Sequence, residues 1–127
     1  MKGLIIKPKW ATLILSGHKT WEIRGTETSH RGPTAIIKSG SGKIFGMVDI
    51  VDCIPLHGPH SAGLIQAITS KHRVSPGNIE YRRPWAWVLQ NARMLPEPIP
   101  YQHPQGAVIW VKLPDDLLTA PTPSTHP

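Results

Sequence analysis

The chain holds one cysteine, Cys53, in 127 residues. No internal disulfide can form, and Cys53 lies in the apolar run MVDIVDCIPL, where a buried structural thiol is expected. Long apolar stretches are also scarce. No segment approaches the roughly 20 residues that a membrane-spanning helix needs. The apolar run in MKGLIIKPKW stops at Lys7-Pro8, without the length or the small-residue cleavage site of a secretion signal. These absences predict a cytoplasmic protein with no membrane attachment. Acidic residues are few: 8 Asp and Glu face 14 Lys and Arg, for a net charge of +6. That balance favours anionic partners, of which nucleic acid is the commonest for a small cytosolic domain. Metal-ligand clusters are missing too. His57, His60 and His72 lack cysteine or acidic companions at ligand spacing, so neither a metal nor a cofactor is expected. The Gly-Ser-Gly at 40–42 is too short for a phosphate-binding loop and reads as a hairpin turn.

A chain of this length, with 39% hydrophobic residues, suits one globular domain with a real core and is expected to be monomeric. Fourteen prolines and eleven glycines favour short elements and tight turns over a long-helix bundle. Strands are expected over 2–7, 20–24, 34–39, 43–54, 85–90, 92–101 and 107–113, with Gly46 as a bulge. A helix is expected over 9–16, opened by Pro8 and closed by Gly17, because Trp10, Leu13 and Ile14 share one face. A second helix is expected over 60–72, with Leu64, Ile65 and Ile68 on one side, and Ser75-Pro76 reads as another helical start. The resulting class is α+β: a small, mostly antiparallel β-barrel with short flanking helices, over residues 1–113. Residues 114–127 form a proline-rich tail expected to be flexible.

The segment GHKTWEIRG, from Gly17 to Gly25, puts Lys19, Thr20, Glu22 and Arg24 within six positions. In a strand, Trp21 and Ile23 point to the core while Thr20, Glu22 and Arg24 share the opposite face. Lys19 enters from the turn after the helix, and its replacement is expected to spare the fold. Such a row is either a solvated face or one wall of a site. Downstream, EYRRPWAW interleaves aromatics with arginines, as a pocket for an unstacked base would. Tyr81, Arg82, Arg83 and Trp85 are the candidates there for a stacking or binding rim, with core packing the competing role for Trp85 and Trp87.

KPKWATLILSGHKTWEIRG strongly resembles the start of ASCH-domain proteins, whose G-x-K-x-x-E-x-R-like signature is matched by Gly17, Lys19, Glu22 and Arg24. RRPWAWVLQNARMLPEPIPYQHPQGAVIWVKL resembles the C-terminal half of the small bacterial members, so the resemblance runs nearly to Leu113. It implies a PUA-like barrel with a cleft beside the first helix and a role in binding RNA or a modified nucleoside. Some relatives are amidohydrolases that deacetylate acetylated cytidine with a lysine, a threonine and a glutamate; others are described as ribonucleases or coactivator modules. The family lysine falls on Lys19. Its threonine position carries Glu22, although Thr20 shares that face, and Glu80 is the nearest acid to the distal glutamate. The resemblance therefore nominates Lys19, Glu22 and Thr20 as a catalytic set and Arg24 as a ligand contact. A lysine acts as base only when desolvated or beside other cations. With Glu22 adjacent, Lys19 is expected to stay charged and Glu22 to be the group that activates water. Binder, amidohydrolase and ribonuclease all remain open at this level.

Overall fold

The computed structural model describes residues 1–59 and 61–118; His60 and the stretch from 119 to 127 lie outside them. The elements are β1 (Lys2–Ile6), α1 (Pro8–Leu15), β2 (Trp21–Arg24), β3 (Gly32–Lys38), β4 (Lys43–Pro55), α2 (Ser61–Ala67), α3 (Thr69–His72), a 3₁₀ turn (Pro76–Asn78), β5 (Trp85–Pro100) and β6 (Trp110–Lys112). The strands form one sheet in the order β2-β5-β4-β3-β1-β6, curled into a half-barrel. β1 and β3 run parallel, joined by a crossover that contains α1; the other pairings are antiparallel.

α1 packs on one face of the sheet. Ala11, Ile14 and Leu15 meet Leu4, Ile6, Ile36, Val48, Ile50, Trp87 and Leu89 in the main core. Ala35, Ile37, Ile44, Val111 and Leu113 form a second cluster, against which Leu117 and Leu118 also pack. A third cluster, Ile23, Leu56 and Ala86, is covered by Trp21, Ile65, Ile68, Val74 and Ile79. Trp21 and Ile23 thus share the cluster under α2 and α3. Glu22 and Arg24 lie directly across β2–β5 from Trp87 and Trp85 and so share the opposite face.

Three local departures from the sequence expectation have physical causes. Residues 85–100 form one strand, not two, because Asn91 takes a left-handed conformation (φ 55°) inside it. The β4–β5 register shifts there, between Met47 and Asp49, so the chain bulges instead of breaking. The middle helix divides at Ile68 (φ −108°, ψ 19°), and Leu64 is 41% exposed rather than on the packed side with Ile65 and Ile68. The last strand is only Trp110–Lys112. Val108 and Ile109 before it are exposed, at 77% and 42%.

Gly46 is a bulge enforced by close approach. The register shifts between Ile44 and Gly46. Phe45 joins the α1-side core while Ile44 and Met47 join the second cluster. A Cβ on Gly46 would lie 2.6 Å from the Arg93 carbonyl oxygen and 2.6 Å from Leu15 Cδ2. This extra residue resets the alternation of β4, so that Val48 and Ile50 face α1.

Candidate functional site

The turn after α1 delivers Lys19. Gly17 adopts φ +83°, and its N–H bonds to the Ile14 carbonyl while the His18 N–H bonds to that of Leu13. This paired arrangement closes the helix and reverses the chain. Lys19 then turns inward and is 1% exposed. Its ammonium donates to the carbonyls of Trp21 (2.8 Å) and His72, and faces Glu22 Oε1 at 3.4 Å. Three acceptors match its three N–H bonds. Its Nζ also lies 4.9 Å from the centre of the Trp10 ring. Burial pushes the Lys19 ammonium below its ordinary value, the charge and hydrogen bond of Glu22 pull it back up, and Arg24 adds a smaller downward push. The expectation that Lys19 is dispensable for folding is therefore corrected. It ties α3 to β2 from inside, and its removal would leave buried acceptors unpaired.

Glu22, 5% exposed, bridges two cations. Its Oε2 accepts from Arg24 Nε at 3.0 Å, while Oε1 faces Lys19. Arg24 Nη2 donates to the Ile5 carbonyl at 2.8 Å, and its guanidinium lies 5.7 Å from the Trp87 ring centre. Strand alternation alone places Glu22 and Arg24 on one face; the hydrogen bonds fix their rotamers there.

Over this group opens a cleft of about 570 Å³. Glu22, Ile23 and Arg24 line it from β2, and Ile5, Lys7, Lys9, Trp10 and Ser39 from the α1 side. The segment from Arg73 to Tyr81 supplies another part of the lining, including Arg73, Asn78, Glu80 and Tyr81, and Val108 lines it as well. Buried His72 holds that segment: Nε2 donates to the Ile65 carbonyl (2.9 Å) and Nδ1 accepts from the Val74 N–H (3.0 Å). This is the neutral tautomer, and burial foremost, with Lys19 nearby, depresses the His72 imidazole below its ordinary value. Tyr81 is set by Gly25, where a Cβ would meet its ring at 2.7 Å.

Of the residues nominated from sequence, Glu22, Arg24 and Tyr81 line the cleft, together with Glu80, and Lys19 lies beneath it. Thr20, Arg82, Arg83 and Trp85 do not line it. Thr20 is half-buried, its backbone bonded to Lys71 and Leu89. Arg82 and Arg83 are exposed. Trp85 packs at the edge of the main core, edge-on to His57 at 5.1 Å. Trp87 is core, with its indole N–H donated to the Thr26 carbonyl. Lys7, Lys9 and Arg73 were not nominated from sequence. The two lysines flank Pro8 at the helix start, and only the folded chain brings Arg73 into the same cavity. Cys53 is half-buried, with burial raising its thiol above the ordinary range, so it is a poor nucleophile.

A curled six-stranded sheet with short helices and a polar cleft beside the first of them defines a PUA-like domain. Residues 4–100 match the ASCH domain model, and the chain belongs to the ASCH family. The crystal structure of ASCH from Zymomonas mobilis is similar, with a TM-score of 0.69 at 15% identity over 93% of this chain and 90% of that one. Two single-residue variants of the same Zymomonas mobilis protein align with TM-scores of 0.68, each at 15% identity over 93% of this chain and over 93% and 91% of theirs. At that identity the likeness concerns the fold. No curated protein matches the chain. Among the described residues, no helix is long and apolar enough to cross a membrane.

Proposed function

We propose that the cleft binds RNA or a modified nucleoside, with Glu22 reading the base edge. The observation that carries this reading is the composition of a single cavity: cations at Lys7, Lys9, Arg24 and Arg73, aromatic residues Trp10 and Tyr81, the carboxylate of Glu22 fixed by two ion pairs, and Glu80. The volume of about 570 Å³ suits a nucleoside-sized ligand. The Glu22 carboxylate is an acceptor held in place by two cations, and the exocyclic amine of cytosine or adenine is the donor it would meet. Tyr81, 46% exposed, offers a ring face on which a base can stack. The family's PUA-like fold is often linked to RNA binding, which supports the same class of ligand.

A second reading, amide hydrolysis of acylated cytidine, is favoured by the position of Glu22. A carboxylate at the cavity floor can take a proton from water as that water attacks the acyl carbon, and can return it to the departing amine. In that scheme Lys19 is a positioning residue, because its donors are committed to Glu22 and to two carbonyls. Incubating the protein with N4-acetylcytidine and with labelled single-stranded RNA, and reading products by mass, separates the cases. Binding without product supports the first reading. Release of acetate supports the second, and shortened RNA a nuclease. If neither ligand binds nor reacts, the cleft does not serve this class of ligand.

A further inference from the structure

The two ends of the cleft differ in how their charges are satisfied. On the β2 side, Glu22 neutralises Lys19 and Arg24 through ion pairs of 3.4 and 3.0 Å. Elsewhere in the same cavity, Lys7 and Lys9 line it with Ser39, and Arg73 lines it from the end of α3. Among the described residues, Lys7, Lys9 and Arg73 form no ion pair. Glu80, which also lines the cleft, offsets only one of these three charges, so the arrangement is at its most favourable when an anion lies among them. The first turn of α1, which follows Lys7 and contains Lys9, carries no side-chain cap. Its amides and the positive end of the helix add to the same field.

Arg73 adds an observation from backbone geometry. It ends α3 with φ 65° and ψ 17°, the left-handed conformation in which glycine is favoured, and its N–H bonds back to the Thr69 carbonyl at 2.7 Å. A long side chain there is strained. Glycine would cap the helix better, yet the position carries an arginine that lines the cleft.

We infer that Lys7, Lys9, Ser39 and Arg73 form a phosphate subsite, so that the ligand of the cleft is a nucleotide and not an uncharged nucleoside. The inference rests on the nucleobase reading above and specifies it. The base takes the Glu22–Tyr81 end, and the phosphate takes the α1–Arg73 end, where a guanidinium can bond two of its oxygens. A free nucleoside monophosphate and a phosphate within an RNA strand share this chemistry.

Isothermal titration with cytidine, cytidine monophosphate, a short single-stranded RNA and inorganic phosphate tests it, using the wild-type chain, Arg73→Gly and the Lys7→Ala/Lys9→Ala pair. The monophosphate should bind at least about tenfold more tightly than cytidine, the scale of a charge-assisted hydrogen bond. Arg73→Gly should shrink that ratio to about twofold or less, and should melt no lower than wild type because glycine relieves the left-handed strain. An RNA that binds more tightly than the monophosphate identifies the strand as the source; equal affinities identify the free nucleotide. Equal binding of cytidine and its monophosphate would overturn the phosphate subsite and leave the nucleobase reading standing. A preference for the monophosphate that survives both variants would also overturn it. Failure of all the ligands to bind would overturn both.

Discussion

At the scale of single residues, the side chain that joins site to fold is Lys19. Its ammonium holds β2, through the Trp21 carbonyl and Glu22, to the end of α3, through the His72 carbonyl. Lys19→Ala takes from buried Glu22 one of its two cations, leaving Arg24, and takes a donor from two carbonyls; breaking a buried pair from one side costs about 3–5 kcal/mol. Urea denaturation should show a loss of that size, and a variant as stable as wild type would contradict the arrangement. Glu22→Gln keeps the shape but leaves Lys19 and Arg24 facing each other without a counter-charge. Ligand affinity should fall at least about tenfold, the scale of a lost charged hydrogen bond. His72 sets the pH response. Its folded-state value lies below its ordinary 6.5; so the unfolded chain takes up the proton first as the solution is acidified. Stability is full above about pH 6.5 and is lost as pH falls from there through the lower folded value, because a proton on Nδ1 would confront the Val74 N–H. His30, depressed by burial and by Lys2, acts in the same direction. Melting temperatures at pH 7.5, 6.0 and 5.0 should therefore decline in order. A flat profile would show that His72 is not held neutral in the folded chain.

At the scale of elements, the bulge at Gly46 sets which residues of β4 reach α1. Gly46→Ala drives a methyl group into the Arg93 carbonyl oxygen and Leu15, each 2.6 Å away. Overpacking of this kind costs about 1–3 kcal/mol, so the melting temperature should fall by several degrees; an unchanged value would mean that the strands separate there without strain. The bulge was readable in the sequence because a lone glycine interrupts an otherwise apolar alternating strand. β2 was readable because Trp21 and Ile23 alternate strictly with Glu22 and Arg24, and α1 because Pro8 and Gly17 mark its ends. The continuity of β5 was not readable. Asn91 looks like a break, and only pairing with β4 on both sides of it keeps the strand whole. The site divided along the same line. Glu22 and Arg24 follow from local alternation, whereas Lys7, Lys9 and Arg73 share a cavity only in the folded chain. No local pattern records that they line the same cavity. Trp10 belongs to the helix's apolar face and packs against the core, yet it also lines the cleft, and the ammonium groups of Lys9 and buried Lys19 lie 4.7 and 4.9 Å from its ring centre.

At the scale of the whole molecule, a net charge of +6 permits two kinds of association with RNA. A diffuse positive surface would attract any polyanion, and the contribution of each lysine would depend little on its position. A built cleft would concentrate the effect in the few cations that line it. Salt dependence separates the two. Each phosphate contact on a single strand adds about 0.7 to the slope of log affinity against log salt. If the cleft is the site, Lys7→Ala should lower the slope by about 0.7, because Lys7 lines the cavity. Lys43→Ala should leave it unchanged: Lys43 is exposed at the start of β4 and does not line the cleft. Both substitutions remove one positive charge, so any difference between them reports position and not net charge. Equal decreases in slope would mean that RNA is held by the overall field of the protein. An affinity that does not change from low to moderate salt would mean that phosphate contacts contribute nothing to binding.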